Sequence, residues 1–212
     1  MPFTHPSLNK QNFYWIGGCP SGGKTTLANA LSKANHMAVY HTDEHSWDHG
    51  LRINAKAPDF HREINVNFVE SVIAMPNEQW FDIFISGLRE LCFIVLDDAK
   101  KLFAQKAATI EGGVLLPEFI AEIGAEKQAI FINPTYDFLR EYLPRQKWVI
   151  NILSGLGDDK HKALFIERLL FKYNLFREYI IESAEKCNIK TLATAAQSSM
   201  DYNKKIASQY FS

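Results

Sequence analysis

Residues 17–26 read GGCPSGGKTT, and this stretch decides the fold. Within it, residues 18–25 match the pattern Gly-x-x-x-x-Gly-Lys-Thr of phosphate-binding loops. The apolar run FYWIG at 13–17 predicts a buried strand before the loop, and KTTLANALSKAN at 24–35 predicts a helix after it. A strand, a glycine-rich loop and a helix in this order are the setting that the motif requires. The stretch therefore predicts an α/β protein that binds a nucleotide.

The residue types in this loop suit the phosphates of a nucleotide. Glycines allow backbone N–H groups to curl around the negative charges, and the following helix N-terminus adds a favourable dipole. Lys24 would reach the β- and γ-phosphates, and Thr25 would offer its hydroxyl to Mg²⁺. Guanine recognition is not indicated, because the nearest Asn-Lys-x-Asp candidate, NPTYD at 133–137, lacks the lysine. We therefore expect ATP and Mg²⁺, with a nucleotide-binding set of Gly18, Cys19, Pro20, Ser21, Gly22, Gly23, Lys24, Thr25 and Thr26.

Length and composition narrow the class of protein. The chain has 212 residues and a formal net charge of -1, which suits one domain and gives no basic surface for nucleic acid. The start, MPFTHPSLNKQN, has no apolar signal core, and no run reaches the roughly 18 apolar residues that a membrane helix needs. The three cysteines lie far apart in the chain. We expect a cytoplasmic enzyme with no nucleic-acid or membrane partner, in which aromatic residues near the C-terminus could serve a homodimer.

Strands and helices alternate along most of the chain. Further strands are predicted at 37–43, 107–113, 128–134 and 188–195, and further helices at 116–124, 136–143, 160–187 and 200–211. This alternation predicts a parallel five-stranded sheet with helices on both faces. Residues 47–104 would form a helical insertion after the second strand, in which 60–74 reads as one helix, and residues 136–187 a lid-like helical region. The whole chain would be a single domain.

The run CFIVLDD at 92–98 allows two interpretations. It resembles a buried strand that ends in a magnesium-binding aspartate, but the apolar positions from 88 to 103 keep helical spacing for four turns. The spacing favours a helix with Asp97 and Asp98 near its polar face. Glu111, at the end of the predicted third strand, is then the better candidate to reach the magnesium shell through water, since a buried carboxylate is costly without compensation. A glutamate that stabilises the following glycine turn is the alternative.

The chain resembles the small-molecule and nucleotide kinase branch of the P-loop proteins, which includes adenylate-kinase-like, shikimate-kinase-like and uridine-kinase-like enzymes. The resemblance rests on GGCPSGGKTT, on YHTDEH at 40–45 and on IEGG at 110–113. EGGVLLPEF, NPTYDFLREYLPRQKW and FIERLLF are similar to segments of bacterial proteins described as 2-phosphoglycerate-kinase-like or as generic ATPases. The resemblance covers most of the chain and implies a three-layer P-loop NTPase fold.

The same resemblance implies phosphoryl transfer from ATP to a small-molecule acceptor, whether a nucleoside, a nucleotide, a sugar or a glycerate-type metabolite. The alternative is an ATPase or a nucleotide-binding regulator that has no such acceptor. In the related kinases an aspartate just past the second strand acts as a base or binds the acceptor. Asp43 holds this position, so we expect it to orient or deprotonate the acceptor hydroxyl; a helix cap is its alternative role.

Positive charge for the transferred phosphoryl group must come from beyond the loop. Arg145, after the fourth strand, and Arg168, on the long helix, are the predicted clamps by position and by resemblance, and a surface ion pair is the alternative for each. Arg52 and Arg62, in the insertion, could instead grip an anionic acceptor, although solvated surface positions suit them as well.

His41, His45 and His49 are spaced by four residues, which on one helix would suggest a metal site. His41 belongs to the predicted strand end, however, and this breaks the helical register. A polar rim around the acceptor, with Trp47 as an apolar wall, is the favoured interpretation of this segment.

Overall fold

The structure is a computed structural model that describes residues 13–196 and 199–211. The first 12 residues, which carry part of the expectation that the chain has no signal segment, lie outside the described residues. Within the described ranges, no helix combines the length and the hydrophobicity required to cross a membrane.

Five parallel strands form one sheet. They are β1 (Phe13–Gly17), β2 (Ala38–His41), β3 (Ala108–Glu111), β4 (Ala129–Pro134) and β5 (Lys190–Thr194), in the order β2-β3-β1-β4-β5. Each pairs in parallel with its neighbours, so the carboxyl ends of all five strands lie along the same edge of the sheet. The predicted parallel five-stranded sheet is confirmed. The loop that follows β1 lies near its middle, where crossovers in opposite directions leave a crevice.

Ten helices accompany the sheet in the described part of the chain. They are α1 (Lys24–Asn35), α2 (Ser46–Ile53), α3 (Pro58–Phe60), α4 (Phe68–Ala74), α5 (Asn77–Leu102), α6 (Pro117–Glu122), α7 (Tyr136–Tyr142), α8 (Lys147–Gly155), α9 (Asp159–Lys186) and α10 (Ser199–Tyr210). Short 3₁₀ turns at Thr42–His45, Glu126–Gln128 and Leu143–Arg145 and a π-helical segment at His61–Val66 join them. α8 lies inside the region 136–187 that was predicted to be helical, but no separate helix was predicted there.

Alternate strand residues face the two helical layers, as the period of a strand requires. Ile16, Ile130 and Ile132 pack with Leu27 and Leu31 of α1 and with Ala207 of α10. On the other face, Trp15 and Phe131 belong to a larger core with residues of α5, α6 and α9. Helices therefore cover both faces, and the predicted three-layer α/β architecture is confirmed.

The run CFIVLDD is helical, as its spacing predicts. It lies within α5, a helix of 26 residues that buries Leu88, Leu91, Cys92 and Val95. Asp98 binds Arg52, with 2.7 Å between Oδ2 and Nη1, and Asp97 binds Lys101 across one turn at 2.6 Å. The alternative in which an aspartate of this run holds magnesium at a strand end is therefore wrong.

The segment predicted as one helix at 60–74 is interrupted. It runs from α3 through the π-helical segment His61–Val66, and Asn67 leaves helical geometry before α4 begins. Phe60 presses against α5 at Gly87, where an added Cβ would lie 1.9 Å from the Phe60 ring. This close contact packs the segment against α5. The helices α2 to α5 therefore lie beside the loop, at one end of the edge formed by the carboxyl ends of the strands.

Lys172 is fully buried on α9, an unusual place for an ammonium group. Its Nζ donates to the Met75 carbonyl at 3.1 Å and to Asn77 Oδ1 at 2.9 Å, and it lies 5.5 Å from the centre of the Trp80 ring. Burial, with a smaller effect from Arg168, lowers the pKa of Lys172 from 10.5 to about 8. The hydrogen bonds of Lys172 hold α9 against the start of α5, and the burial of its charge reduces the stability that they contribute.

Replacing this lysine should change how stability depends on pH. Between pH 8 and 10.5 the unfolded chain keeps a proton that folded Lys172 has released, so stability rises with pH over this window. The free energy of unfolding of wild type relative to Lys172→Met should therefore increase from pH 8 to 10.5, by at most about 3 kcal/mol. Denaturant titrations across this range measure it. Lys160→Met, at an exposed position on the same helix, is the control; a difference that does not vary with pH would contradict the burial argument.

Candidate functional site

The glycine loop lies directly against the end of β4. Gly18 has φ +125, and an added Cβ would come within 2.0 Å of the Ile132 carbonyl oxygen. Ser21 and Gly23 also have positive φ, at 63 and 91. Only glycine accepts the contact at position 18, because any side chain would strike the backbone of β4 in a conformation that L-residues rarely adopt. The conformation of the loop therefore depends on its glycines and on its contact with β4.

Side chains from other strand ends fix the loop in place. The Cys19 N–H donates to Asn133 Oδ1 at 3.1 Å, and Thr194 Oγ1 donates to the Gly22 carbonyl at 2.8 Å. Ser21 Oγ accepts a hydrogen bond from Gln146 Nε2 at 3.1 Å. These partners come from the ends of β4 and β5 and from the turn before α8, so the loop conformation is set by three separate parts of the chain.

A cavity of about 560 Å³ opens above the loop. Its loop-side wall consists of Pro20, Ser21, Gly23, Lys24, Thr25 and Thr26. Lys24 Nζ donates to the Cys19 carbonyl at 3.0 Å, which folds the ammonium group back over the loop. Positive φ residues, a helix N-terminus and this lysine give the floor the properties of an anion site. The residues predicted for nucleotide binding are thus brought together on one loop, and most of them line this cavity.

Glu111 is the acidic residue beside the loop. It ends β3 and is 1% exposed. Its Oε1 accepts a hydrogen bond from Thr25 Oγ1 at 3.1 Å and lies 2.7 Å from His41 Nδ1. Its Oε2 is buried without a hydrogen-bond partner among the described residues. A buried carboxylate oxygen with no partner, next to a threonine hydroxyl at the loop, fits the donor set that Mg²⁺ prefers. Thr25 and Glu111 are therefore placed as a magnesium site requires.

The Cys19 thiol is held in its protonated form by burial. The residue is fully buried, and its Sγ lies 3.8 Å from the Tyr173 carbonyl oxygen. Burial raises the pKa of the thiol to about 12, which outweighs the opposing charges of Lys24 and Arg177. Thiols of this kind are inert, because the thiolate is the reactive form. Cys19 stabilises the loop through the hydrogen bond of its backbone N–H group, not through its thiol.

Asp43 lies in the 3₁₀ turn Thr42–His45 that directly follows β2. Its side chain is exposed, and α2 begins without a side-chain cap, so Asp43 does not act as the helix cap that was its alternative role. Asp43 lines the 560 Å³ cavity together with the loop. It also lines a second cavity of about 410 Å³ on the side of α2 and the π-helical segment.

The two cavities adjoin one another. Both are lined by Asp43, Leu88, Val114, Trp148 and Tyr173. Among the described residues, Asp43 is the only carboxylate that lines either of them. The site thus consists of the cavity above the loop and a neighbouring cavity, with one acidic side chain at the boundary between them.

The two arginines predicted as phosphate clamps do not line either cavity. The Arg145 side chain is 64% exposed, and its Nη1 lies 3.3 Å from Glu141 Oε1. Arg168 is exposed and lies on the same helical row as Lys172, one turn towards the start of α9. In this arrangement the surface ion pair that was the alternative for Arg145 is the observed one. The residues of α9 that line the first cavity, Tyr173 and Phe176, lie further along the helix than Arg168.

Arg177, on α9, acts through its charge on Cys19 of the loop, although it lines neither cavity; Arg168, which was preferred from the sequence, lies half a turn round the helix from it. Arg177 is four residues past Tyr173, so the two share a helix face, and its positive charge lowers the pKa of Cys19 against the larger effect of burial. Its Nε donates to Asn174 Oδ1 at 3.0 Å, and its side chain is 17% exposed. The relevant signal in the sequence was this four-residue spacing, but nothing local showed which face of α9 meets the loop.

His41 lies apart from the other two histidines, whereas His45 and His49 both contact Tyr40 and have ring centroids 6.1 Å apart. His41 pairs with Glu111, the His45 ring stacks on Tyr40 at 4.4 Å, and His49 is buried against Tyr40 and Asp98. No cluster of metal-binding side chains is found among the described residues. The predicted apolar wall at Trp47 is not part of a cavity, since that side chain is 80% exposed.

Comparisons with known proteins concern the fold alone. No protein-family model and no curated protein matches the chain. An uncharacterized protein from Eubacterium ventriosum ATCC 27560 has a TM-score of 0.43 and 15% identity, over 95% of this chain and 98% of that one. Shikimate kinase from Acinetobacter baumannii in complex with shikimate has a TM-score of 0.46 and 13% identity, over 93% and 91%. Shikimate kinase from Bacteroides thetaiotaomicron has a TM-score of 0.46 and 16% identity, over 93% and 96%.

Proposed function

We propose that this protein is an ATP- and Mg²⁺-dependent kinase that phosphorylates a hydroxyl group of a small-molecule acceptor. One observation carries the proposal: Asp43 lies at the boundary between a phosphate-binding cavity and a second cavity. A kinase needs an acidic group at the point where donor and acceptor meet, together with a cavity for each.

In this proposal the loop holds the donor. Its backbone N–H groups and the start of α1 bind the phosphates of ATP, and Lys24 exchanges the Cys19 carbonyl for phosphate oxygens. Thr25 would hold Mg²⁺, with Glu111 reaching its shell through water, and the ion would supply positive charge to the phosphates. His41 Nδ1 lies 2.7 Å from Glu111 Oε1, which leaves Oε2 for this role.

Asp43 acts on the acceptor. Its carboxylate accepts the proton of the acceptor hydroxyl as that oxygen forms a bond to the γ-phosphorus. The bond between the γ-phosphorus and the bridging oxygen breaks, and ADP leaves with the electron pair. Trp148 and Tyr173, which line both cavities, reduce the access of water to the reacting groups.

An ATPase or nucleotide-binding regulator without an acceptor is the second candidate. It would use the loop in the same way, but it gives no role to the 410 Å³ cavity behind Asp43. The resemblance to 2-phosphoglycerate-kinase-like proteins implies an anionic glycerate as the acceptor. The charges of the residues that line the second cavity decide whether an anion would be bound there.

Asp43→Ala should remove phosphoryl transfer and leave ATP binding intact. Loss of a general base lowers kcat by roughly 10²- to 10⁴-fold, while the loop that binds ATP is unchanged. ADP release measured with a panel of nucleosides, nucleotides, sugars, glycerates and antibiotics, together with the Kd for ATP, gives both quantities. Glu44→Ala, at the next exposed position of the same turn, is the control. Turnover that survives in Asp43→Ala would refute the base assignment, and ATP hydrolysis that ignores every acceptor would favour the ATPase.

We also propose Arg177, rather than Arg168, as the cation of α9 that acts on the bound phosphates. Neither arginine lines a cavity, but the Arg177 side chain is 17% exposed and its charge acts on Cys19 in the loop, whereas Arg168 is exposed and lies on the row of Lys172. Arg177→Ala should therefore lower kcat/KM for ATP by roughly tenfold or more, since it removes a charge close to the phosphates. Arg168→Ala should change it less than about twofold. Steady-state kinetics on the two variants make the comparison, and equal effects, or the reverse order, would contradict it.

A further inference from the structure

We propose that the acceptor is an uncharged alcohol with a flat ring, of about the size of a nucleoside, and that it binds in the 410 Å³ cavity beside Asp43. This inference rests on the proposed function and narrows its acceptor. It excludes glycerates, nucleotides and other acceptors that carry a carboxylate or a phosphate.

The cavity has no positive charge to receive an anion. Of the described residues that line it, none is a lysine or an arginine, and Asp43 is the one charged group. His49 also lines it, but burial lowers the pKa of His49, and its Nε2 already contacts the Tyr40 hydroxyl at 3.0 Å and Asp98 Oδ2 at 3.3 Å. An anionic acceptor would lie next to the Asp43 carboxylate without a counter-ion, and like charges at such distances oppose binding strongly.

The arginines that the sequence offered for an anionic acceptor have other partners. Arg52 Nη1 lies 2.7 Å from Asp98 Oδ2 and 3.0 Å from Asp48 Oδ2. Arg62 binds Asp59 at 2.9 Å and Glu63 at 2.6 Å. Neither lines the cavity, and both are already neutralised by carboxylates.

Aromatic rings form one wall of the cavity. Phe68, Trp148 and Tyr173 follow one another with ring centroids 6.1 Å apart at each step, and all three are only partly buried. Phe60 lines the cavity as well. Partly exposed rings around a cavity of this volume, which lies in the range of about 300–1,000 Å³ for small-molecule sites, suit a flat ring that packs against them.

A few neutral polar groups complete the cavity. Thr42 is 1% exposed, and its Oγ1 has no hydrogen-bond partner among the described residues. Ser46 and Asn65 also line the cavity. Hydroxyl and amide groups of this kind bind the hydroxyls or ring nitrogens of an uncharged ligand, and they cannot neutralise a charge.

The test compares two sets of acceptors with the full-length protein, ATP and Mg²⁺. One set contains nucleosides and aryl alcohols, and the other contains glycerates, hydroxy acids, sugar phosphates and nucleoside monophosphates. Binding is measured by ligand-detected NMR with ADP and Mg²⁺ present, and transfer by mass spectrometry of the product. We expect binding and phosphorylation within the uncharged set, with kcat/KM at least roughly 100-fold above that of any anionic compound.

A matched pair of variants shows whether the acceptor lies in this cavity. Ile152, half-buried on α8, lines the second cavity and not the first, whereas Ile150 on the same helix is 50% exposed and lines neither. Ile152→Ala should raise the KM for the uncharged acceptor by roughly three- to tenfold and leave the KM for ATP unchanged. Ile150→Ala should change neither value.

Each remaining outcome has a definite meaning. An anionic compound that is the best acceptor, or equal acceptor KM values for the two variants, overturns the inference and leaves the proposed kinase function in place. A protein that binds ATP but binds no uncharged compound also overturns it. A protein that binds no ATP overturns the proposed function itself.

Discussion

The contact between the glycine loop and the end of β4 is the constraint on which the site depends. Gly18 lies so close to the Ile132 carbonyl that a Cβ would come within 2.0 Å of it. Asn133, the next residue of β4, holds the Cys19 N–H at 3.1 Å. Because β4 thus fixes the path of the loop, the direction of its N–H groups and the start of α1 follow from the sheet. The geometry of the proposed phosphate site therefore depends on the parallel sheet as well as on the loop.

Hydrogen bonds along the same edge of the sheet also fix the side chains next to the loop. Glu111 joins Thr25 of α1 to His41 of β2, so the first turn of α1 and the ends of β2 and β3 are linked through one carboxylate. The turn that follows His41 carries Asp43, which faces both cavities. The two cavities are thus linked by neighbouring strand ends, and the proposed kinase would use this arrangement to hold two reactants in line.

Much of the fold could be predicted because its signals are local. The strand before the loop, the helix after it and the helical spacing of α5 each depend on residues within a few turns of one another. Where the structure departs from expectation, the cause is packing between distant segments. The approach of Tyr173 to Cys19 joins residues 154 positions apart, and no periodicity shows that this face of α9 meets the loop. Arg168 was preferred to Arg177 for this reason.

The second cavity could not be predicted for the same reason. Its lining comes mostly from the 3₁₀ turn Thr42–His45, the π-helical segment and the helices α2, α3, α4, α5, α8 and α9, and α8 was not predicted as a separate helix. Asp43 could be placed at the sheet edge from the sequence, since it directly follows a strand, but only the assembled helices show that it borders two cavities.

The central claim is that residues 18–26 bind the phosphates of ATP, and the affinity for MgATP tests it most directly. Isothermal titration of wild type and Lys24→Ala gives the two Kd values. The account predicts that wild type binds MgATP and that the variant binds it roughly 10- to 100-fold more weakly, because a charged hydrogen bond to phosphate is lost. Equal affinities in the two proteins, or no binding by wild type, would contradict it.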